Sequence, residues 1–472
     1  MDANDSNKDE SFRDAIATVD KDGKRVWVYA KKIKGKWFNK RQYFGYALLA
    51  FLFVAPFIKI KGEPLIMLNI LERKFVLFGK VFWPEDSHLF AIGMMAFVIL
   101  IIVFTVVFGR LFCGWACPQT IFLELIFRRI EFWIDGDWNQ QKKLEKQPWN
   151  AEKIRKRLIK WTIYWIVSFL IANIFLAYII GIDELFNIIT DSPKNHLGGL
   201  ISLFIFTSVF FAVFTWFREQ VCIAVCPYGR LQGVLLDENS ILVAYDYKRG
   251  EREKGRSKFR KNEDREALGK GDCIDCHQCV NVCPTGIDIR NGTQLECVNC
   301  TACMDACDSI MEGVGLEKGL IRYDSEAGIK TGDKYSLSGR AKAYIVLMVG
   351  ILTLLVVLLA TRADIEVNFL RERGTSYQKT GEDEYANIYN LHLINKTQDT
   401  IPIYLEVEGN NASIDIIGGP ITLAPGAQIK RKTLIKMNVT ELKGTKTPVL
   451  IGIYENDKKI ETASITFSGP GF

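Results

Sequence analysis

Five apolar runs interrupt an otherwise polar chain: Tyr43 to Ile60, Leu89 to Phe108, Trp161 to Ile182, Leu200 to Phe217 and Ala343 to Ala360. A helix needs roughly 18 such residues to cross a hydrocarbon core about 30 Å thick, so each run predicts a membrane span. The first is the least sharply bounded, because it holds Pro56 and Lys59. Basic residues are unevenly shared among the loops. Residues 31–41 hold six Lys or Arg and Arg110 to Lys160 hold eleven, whereas Asp183 to His196 hold only Lys194. The positive-inside bias then places the N-terminus, residues 110–160 and residues 218–342 in the cytoplasm, and everything after the fifth span outside. The acidic, polar start does not have the pattern of a cleavable signal peptide.

Beyond the fifth run the period changes. The segments "IYNLHLIN", "IPIYLEVEG", "ASIDII", "PVLIGIYE" and "TASITF" are short and alternating or apolar, and Gly, Asn and Pro separate them. That spacing predicts strands, and over about 100 residues it predicts an immunoglobulin-like sandwich.

Charge and cysteine placement sharpen this picture. The net charge of +6 comes from the inner loops and gives no reason to expect nucleic-acid binding. All twelve cysteines lie between Cys113 and Cys307, and the exported tail has none. Thiols kept on the reducing side of a membrane are ligands or redox groups, not a disulfide framework. "CIDCHQCVNVC" supplies Cys273, Cys276, Cys279 and Cys283; "CVNCTACMDAC" supplies Cys297, Cys300, Cys303 and Cys307. Each has the bacterial ferredoxin spacing, in which three close cysteines hold one cubane and the fourth serves the other cluster. The expected sets are therefore crossed. Cys273, Cys276, Cys279 and Cys307 take one [4Fe-4S] cluster, and Cys283, Cys297, Cys300 and Cys303 take the second. The second motif continues Cys307-Asp308 where Cys-Pro is usual. His277 reads as a solvated spacer, and the charged stretch 240–272 as a solvated linker. No GxGxxG fingerprint follows a strand, so hydride chemistry is not expected and electrons must come from a separate donor.

The remaining four cysteines sit at the ends of apolar runs, in "FCGWACPQT" (112–120) and "VCIAVCPYG" (221–229). The two units share a layout: His88 or His196, an apolar run, Arg110 or Arg218, then Cys-x-x-x-Cys-Pro. Cysteines at i and i+4 share a helix face, about 5 to 6 Å apart, and the following proline is expected to end or kink that helix. If the repeats pack side by side, Cys113, Cys117, Cys222 and Cys226 converge on a soft-ligand site. Such a site suits Cu(I), zinc or an iron-sulfur cluster; buried free thiols are the alternative. His88 and His196 read as interfacial residues. His392, with Met437 far off in sequence, makes a poor copper site.

Together with "RKFVLFGKVFWPED" (73–86), these motifs resemble the cytochrome c oxidase accessory family CcoG, also called FixG or RdxA, over nearly the whole chain. The Cys-x-x-x-Cys-Pro segments are also similar to those of NapH-type quinol dehydrogenases. The resemblance implies reduction of Cu(II) to Cu(I) during assembly of a haem-copper oxidase. Cys113, Cys117, Cys222 and Cys226 would then be the catalytic copper site, and oxidase assembly factors or a copper chaperone would be the partners. A quinol-linked electron-transfer subunit and an assembly scaffold with structural clusters are the competing readings. A homodimer is one option for its assembly. The expected architecture is a polytopic α-helical membrane protein of about five spans, with an inserted dicluster ferredoxin and a C-terminal immunoglobulin-like β-sandwich. Its parts are a cytoplasmic segment (1–42), a four-span domain (43–239), a charged linker (240–272), the ferredoxin (273–310), a second linker (311–342), the fifth span (343–360) and a periplasmic domain (361–472) in a bacterial inner membrane.

Overall fold

The computed structural model describes residues 17–470, apart from 20–21, 23, 61, 71–73, 84–85, 262, 334, 373, 375–376, 382, 398, 410 and 456–457. Most of the acidic start, and Arg73, Pro84 and Glu85 of the 73–86 motif, lie outside the described residues. Among the described residues four helices are long and apolar enough to cross a membrane: Ser87–Phe108, Ala151–Ile180, Leu197–Phe217 and Gly339–Ala360. The first apolar run differs from expectation. It forms the helix Lys36–Val54, which starts early enough to include Lys36, Lys40 and Arg41 and stops ahead of Pro56. Proline has no N–H to donate and clashes with the preceding turn, so residues 59–60 fold back on 63–64 as a small hairpin instead. The helix still joins the apolar core: Leu49, Leu52 and Phe53 pack against Phe122, Phe127, Tyr164, Ile171 and Phe214. Phe127 and Phe214 stack with ring centres 4.4 Å apart.

The chain divides into two compact units. The first comprises Met1–Val54, Ala91–Ala177 and Ile182–Leu354, and it contains all twelve cysteines. Its ferredoxin part is larger than residues 273–310. Strand Leu242–Tyr245 pairs antiparallel with Ile321–Asp324, and Val243, Tyr245, Leu320 and Ile321 share one core with Cys273, Cys279 and Cys307. Much of the stretch expected to be a solvated linker is folded onto that core. Arg265 is 4% exposed and donates to the carbonyls of Gly271 and Ser257, and Arg249 binds Asp272 at 2.6 Å. Its charges read as solvent-facing in the sequence because some of their partners are distant: Arg249 also donates to the carbonyls of Glu317 and Lys318, and Asp246 pairs with Arg322.

The second unit comprises Ala55–Phe90, Tyr178–Gly181 and Leu355–Phe472. Its β-sandwich has one sheet ordered Ala412–Ile416, Gln428–Asn438, Glu384–Asn395, Ile365–Arg371, and a second ordered Ile421–Leu423, Ile401–Glu408, Lys446–Glu455, Lys458–Ser468. Alternation explains the core. Along Lys446–Glu455, Thr447, Val449 and Ile451 are buried while Lys446, Pro448 and Leu450 face out. Buried Leu391, Leu393, Ile403, Leu423 and Ile453 fill one half of the space between the sheets, and Ile435, Ile451 and Phe467 fill the other.

A three-stranded sheet, Ile66–Asn69, Lys74–Leu77 and Lys80–Phe82, completes this unit. Asp86, 2% exposed, joins its parts by accepting from Arg362 and from Lys396, each at 2.6 Å. Burial raises the Asp86 pKa, but the hydrogen bonds and charges of the two cations outweigh it and hold the carboxyl below the usual 3.8. The stabilisation is therefore complete above that value and is lost as pH falls through the lower, folded-state value. Replacing Asp86 by Ala should cost about 3 kcal/mol at neutral pH by leaving its cations underpaired. Hydrogen exchange in detergent should show faster opening of residues 355–470, and unchanged exchange would refute the role given to Asp86.

Candidate metal centres

The ferredoxin loops hold the eight expected cysteines in two groups of four. One pocket is lined by Cys273, Cys276, Cys279 and Cys307, and a second by Cys283, Cys297, Cys300 and Cys303, with Cys279 at its border. Between the cysteines, Asp275, His277, Asn299 and Thr301 all have positive φ (52 to 66°). For β-branched Thr301 that is a strained backbone. The strain recurs at matching places in both loops, and successive amides in such turns form the concave nests known from phosphate and iron-sulfur sites. Burial pushes the Cys279 and Cys297 thiols up to about 12 and Cys300 to about 11. Without metal they hold their protons, and loading must displace them. Donor type, number, grouping and backbone all fit two cubanes. His277 is exposed as expected, and its ring contacts Arg290 and Asp275. The missing proline after Cys307 has a visible effect: the helix Ala302–Gly313 runs on through Cys307, and Asp308 accepts from the Gly319 amide at 2.8 Å.

The membrane-edge motifs depart from the single helical face expected of them. Cys113 lies in the helix Leu111–Trp115, whereas Cys117 is extended (φ −64°, ψ 124°) and caps a new helix beginning at Pro118. The second motif repeats this break. Cys222 lies in the π-helical turn Val221–Val225, and extended Cys226 (φ −71°, ψ 113°) caps Pro227–Leu235. Proline is favoured at the first helical position, where no N–H is needed, and it drives the residue before it to extended backbone. The prolines therefore start helices instead of ending them.

All four thiols come within electrostatic reach of one another. Burial raises Cys113 to about 11 and Cys222 to about 12, and neighbouring thiols add to both. Burial also raises Cys117, opposed by the amides of Gln119 and Thr120 at its helix start. Among the described residues, however, no three His, Cys, Asp or Glu side chains converge as a site for one metal ion. His88 is exposed, and His196 contacts Asp191 at 3.2 Å.

Contacts that the sequence did not reveal bring the motifs against the second cysteine group. A Cβ on Gly114 would lie 2.2 Å from the Val298 carbonyl oxygen and 3.0 Å from that of Asn299, so only glycine permits this approach. Cys113 packs on the core that holds Val298 and Cys300, and the buried Gln232 amide lies 3.4 Å from its Sγ. Arg110 donates to the carbonyls of Leu295 and Gly229. Arg218 makes a two-pronged bond to Glu131 at 2.8 and 2.9 Å. The arginine common to both motifs was the available signal for these ties, but their partners are distant in sequence.

Family comparisons agree with this geometry. A 4Fe-4S dicluster domain family matches residues 217–326, and a 4Fe-4S binding domain family matches 90–139. The Ig-like fold at the C-terminus of FixG matches 355–470. Protein RdxA of Cereibacter sphaeroides is 31% identical over 89% of this chain and 90% of its own length. The chain belongs to the FixG/RdxA family. Two further FixG/RdxA relatives agree: RdxB of Cereibacter sphaeroides at 32% identity (85% of this chain, 86% of that one), and the nitrogen fixation protein FixG of Rhizobium meliloti at 30% (89% and 87%). A solved structure of a FixG-related protein from Vibrio parahaemolyticus has a TM-score of 0.20 and 22% identity over 23% of this chain and 97% of its own, too slight a likeness to inform the fold. As a FixG/RdxA protein with these domains, the chain is an iron-sulfur electron-transfer protein.

Replacing Gly114 by Ala should force the membrane-edge motif away from the Val298–Asn299 backbone, because neither carbonyl can rotate aside. Iron content should persist while electron transfer to an acceptor at the membrane edge slows. Rates equal to the parent's would show that the approach is incidental.

Proposed function

We propose that this FixG/RdxA protein reduces Cu(II) to Cu(I) for assembly of a haem-copper oxidase, with Cys113, Cys117, Cys222 and Cys226 receiving the copper. The observation that carries the reading is a set of four neighbouring soft thiols of which Cys113 packs on the core that holds Cys300 of the second ferredoxin group. Cys273, Cys276, Cys279 and Cys307 would hold one [4Fe-4S] cluster, and Cys283, Cys297, Cys300 and Cys303 the other. When bound, such clusters supply one-electron transfer. The substrate step is Cu²⁺ + e⁻ → Cu⁺. The electron comes from a reduced partner protein or small carrier, and an oxidase assembly factor or copper chaperone takes the product.

The thiols favour that direction because thiolate is a soft ligand and stabilises Cu(I). Two thiolates suffice for Cu(I), so the lack of a three-ligand convergence does not oppose the reading. Gln232 and the helix starts at Pro118 and Pro227 position the sulfurs. In the proposed topology the N-terminus and all cysteines face the cytoplasm, and the β-sandwich faces the periplasm. In support, the second unit holds the tail that the charge bias places outside, although Asp183 to His196, the other loop so placed, belongs to the first unit.

A second reading has its own observation. The 4Fe-4S binding match over 90–139 includes Cys113 and Cys117, so the four thiols could instead ligate a third cluster. Iron analysis separates the two, with about eight irons per chain for two cubanes and about twelve for three.

Cys117→Ser and Cys226→Ser should each weaken Cu(I) binding and slow Cu(II) reduction about tenfold or more while about eight irons remain. Parent-like copper binding and rates in both variants would refute the site. Because burial holds Cys113 and Cys222 protonated at neutral pH, Cu(I) must displace protons. Its affinity should therefore rise with pH between about 6 and 8, by up to about tenfold per unit for each proton released. Competition with a Cu(I) chelator measures this, and a flat profile would show that the thiols bind without losing protons.

A further inference from the structure

A pocket of about 650 Å³ opens beside the second cysteine group, with Cys300 in its wall. This lies within the usual range of small-molecule sites, about 300 to 1,000 Å³. Among the described residues six cations line it, Lys31, Lys32, Lys34, Arg41, Arg128 and Arg129, against a single carboxylate, Glu124. That carboxylate is already engaged by Arg128 at 2.6 Å. Arg41 is 3% exposed. Its Nε donates to the Gly114 carbonyl at 2.7 Å, but its buried Nη2 has no hydrogen-bond partner among the described residues. A guanidinium nitrogen shielded from water and unpaired is costly and invites an anion. Three aromatic rings, Phe38, Phe132 and Trp133, stand in the same lining, and side chains of this kind stack on planar rings.

We infer that this pocket binds a phosphorylated planar-ring electron carrier of the flavin mononucleotide class, with its phosphate on the basic residues and its ring on the aromatics. The inference rests on the electron-transfer reading and names the source of its electrons. A bare phosphate would use the cations and leave the aromatics idle. A lipid headgroup would account for the charge but not for a wall shared with Cys300.

The test is a fluorescence titration of purified, cluster-loaded full-length protein with flavin mononucleotide, riboflavin and inorganic phosphate, and separately a flotation assay with phosphatidylglycerol vesicles. The nucleotide should bind at least about tenfold more tightly than riboflavin, which lacks the phosphate. Lys32→Glu combined with Lys34→Glu, two exposed residues, should weaken it by about tenfold or more, and Trp133→Ala should weaken both flavins alike. Iron content and visible absorbance confirm that each variant is folded and loaded. Three outcomes would overturn the inference: no flavin binding, equal affinity for the nucleotide and for phosphate alone, or an effect of the lysine changes confined to vesicles. Copper is absent from the titration, so a failure here is distinct from a failure of copper reduction.

Discussion

A guanidinium withdrawn from water must meet a carboxylate or a ring of carbonyls, and the cysteine-bearing unit is built on that requirement. Arg218 is 6% exposed and lies just before the second membrane-edge motif, with its backbone at φ 51°. It is gripped by both oxygens of Glu131, itself 5% exposed. Burial raises the Glu131 pKa, but Arg218, Lys160 and Arg128 outweigh it and hold the carboxylate below the ordinary range. Lys160 adds a bond of 2.5 Å to Asp135. Such a network contributes little net stability compared with apolar packing, yet loss of any member leaves a stranded charge. It therefore fixes geometry: the helix after one Cys-Pro step is tied to the chain entering the other.

Arg110 plays the corresponding part in the first motif, where it holds Gly229 of the second motif and Leu295 of the ferredoxin loop. Glycine permits two close approaches here. Gly114 lies under Val298, and a Cβ on Gly229 would lie 2.6 Å from the Cys222 carbonyl oxygen. Cys113 thus shares a packed interior with Cys300, and burial raises the pKa of both thiols.

Much of this could be read from the sequence where the signal is local. Ferredoxin spacing gave the eight cysteines and their crossed grouping, and period-two segments gave five of the tail strands. Gln428–Asn438 was missed because Lys430, Arg431 and Lys432 interrupt its pattern, although the strand pairs along eleven positions of Glu384–Asn395. Lys36–Val54 starts ahead of the apolar run because its first turn is capped from elsewhere: Asp305 accepts from the amides of Trp37 and Phe38 at 3.1 and 2.7 Å. Partners so far apart along the chain leave no trace in a local pattern. The Cys-Pro steps were misread for a different reason, since a proline can either end one helix or begin the next, and only the backbone shows which of the two occurs.

The Asp305 cap also bears on how the protein matures. The amides it satisfies open the first long helix, yet the ribosome adds Asp305 268 residues after Trp37. Asp305 falls between Cys303 and Cys307, which belong to different cysteine groups. The start of the first helix therefore stays uncapped through most of translation, and it is completed by the segment that also supplies the last cysteine of each group. Cofactor insertion and the final seating of the N-terminal helix should accordingly be one late event, and a chain starved of iron would stall with its earliest-made helix still unfinished.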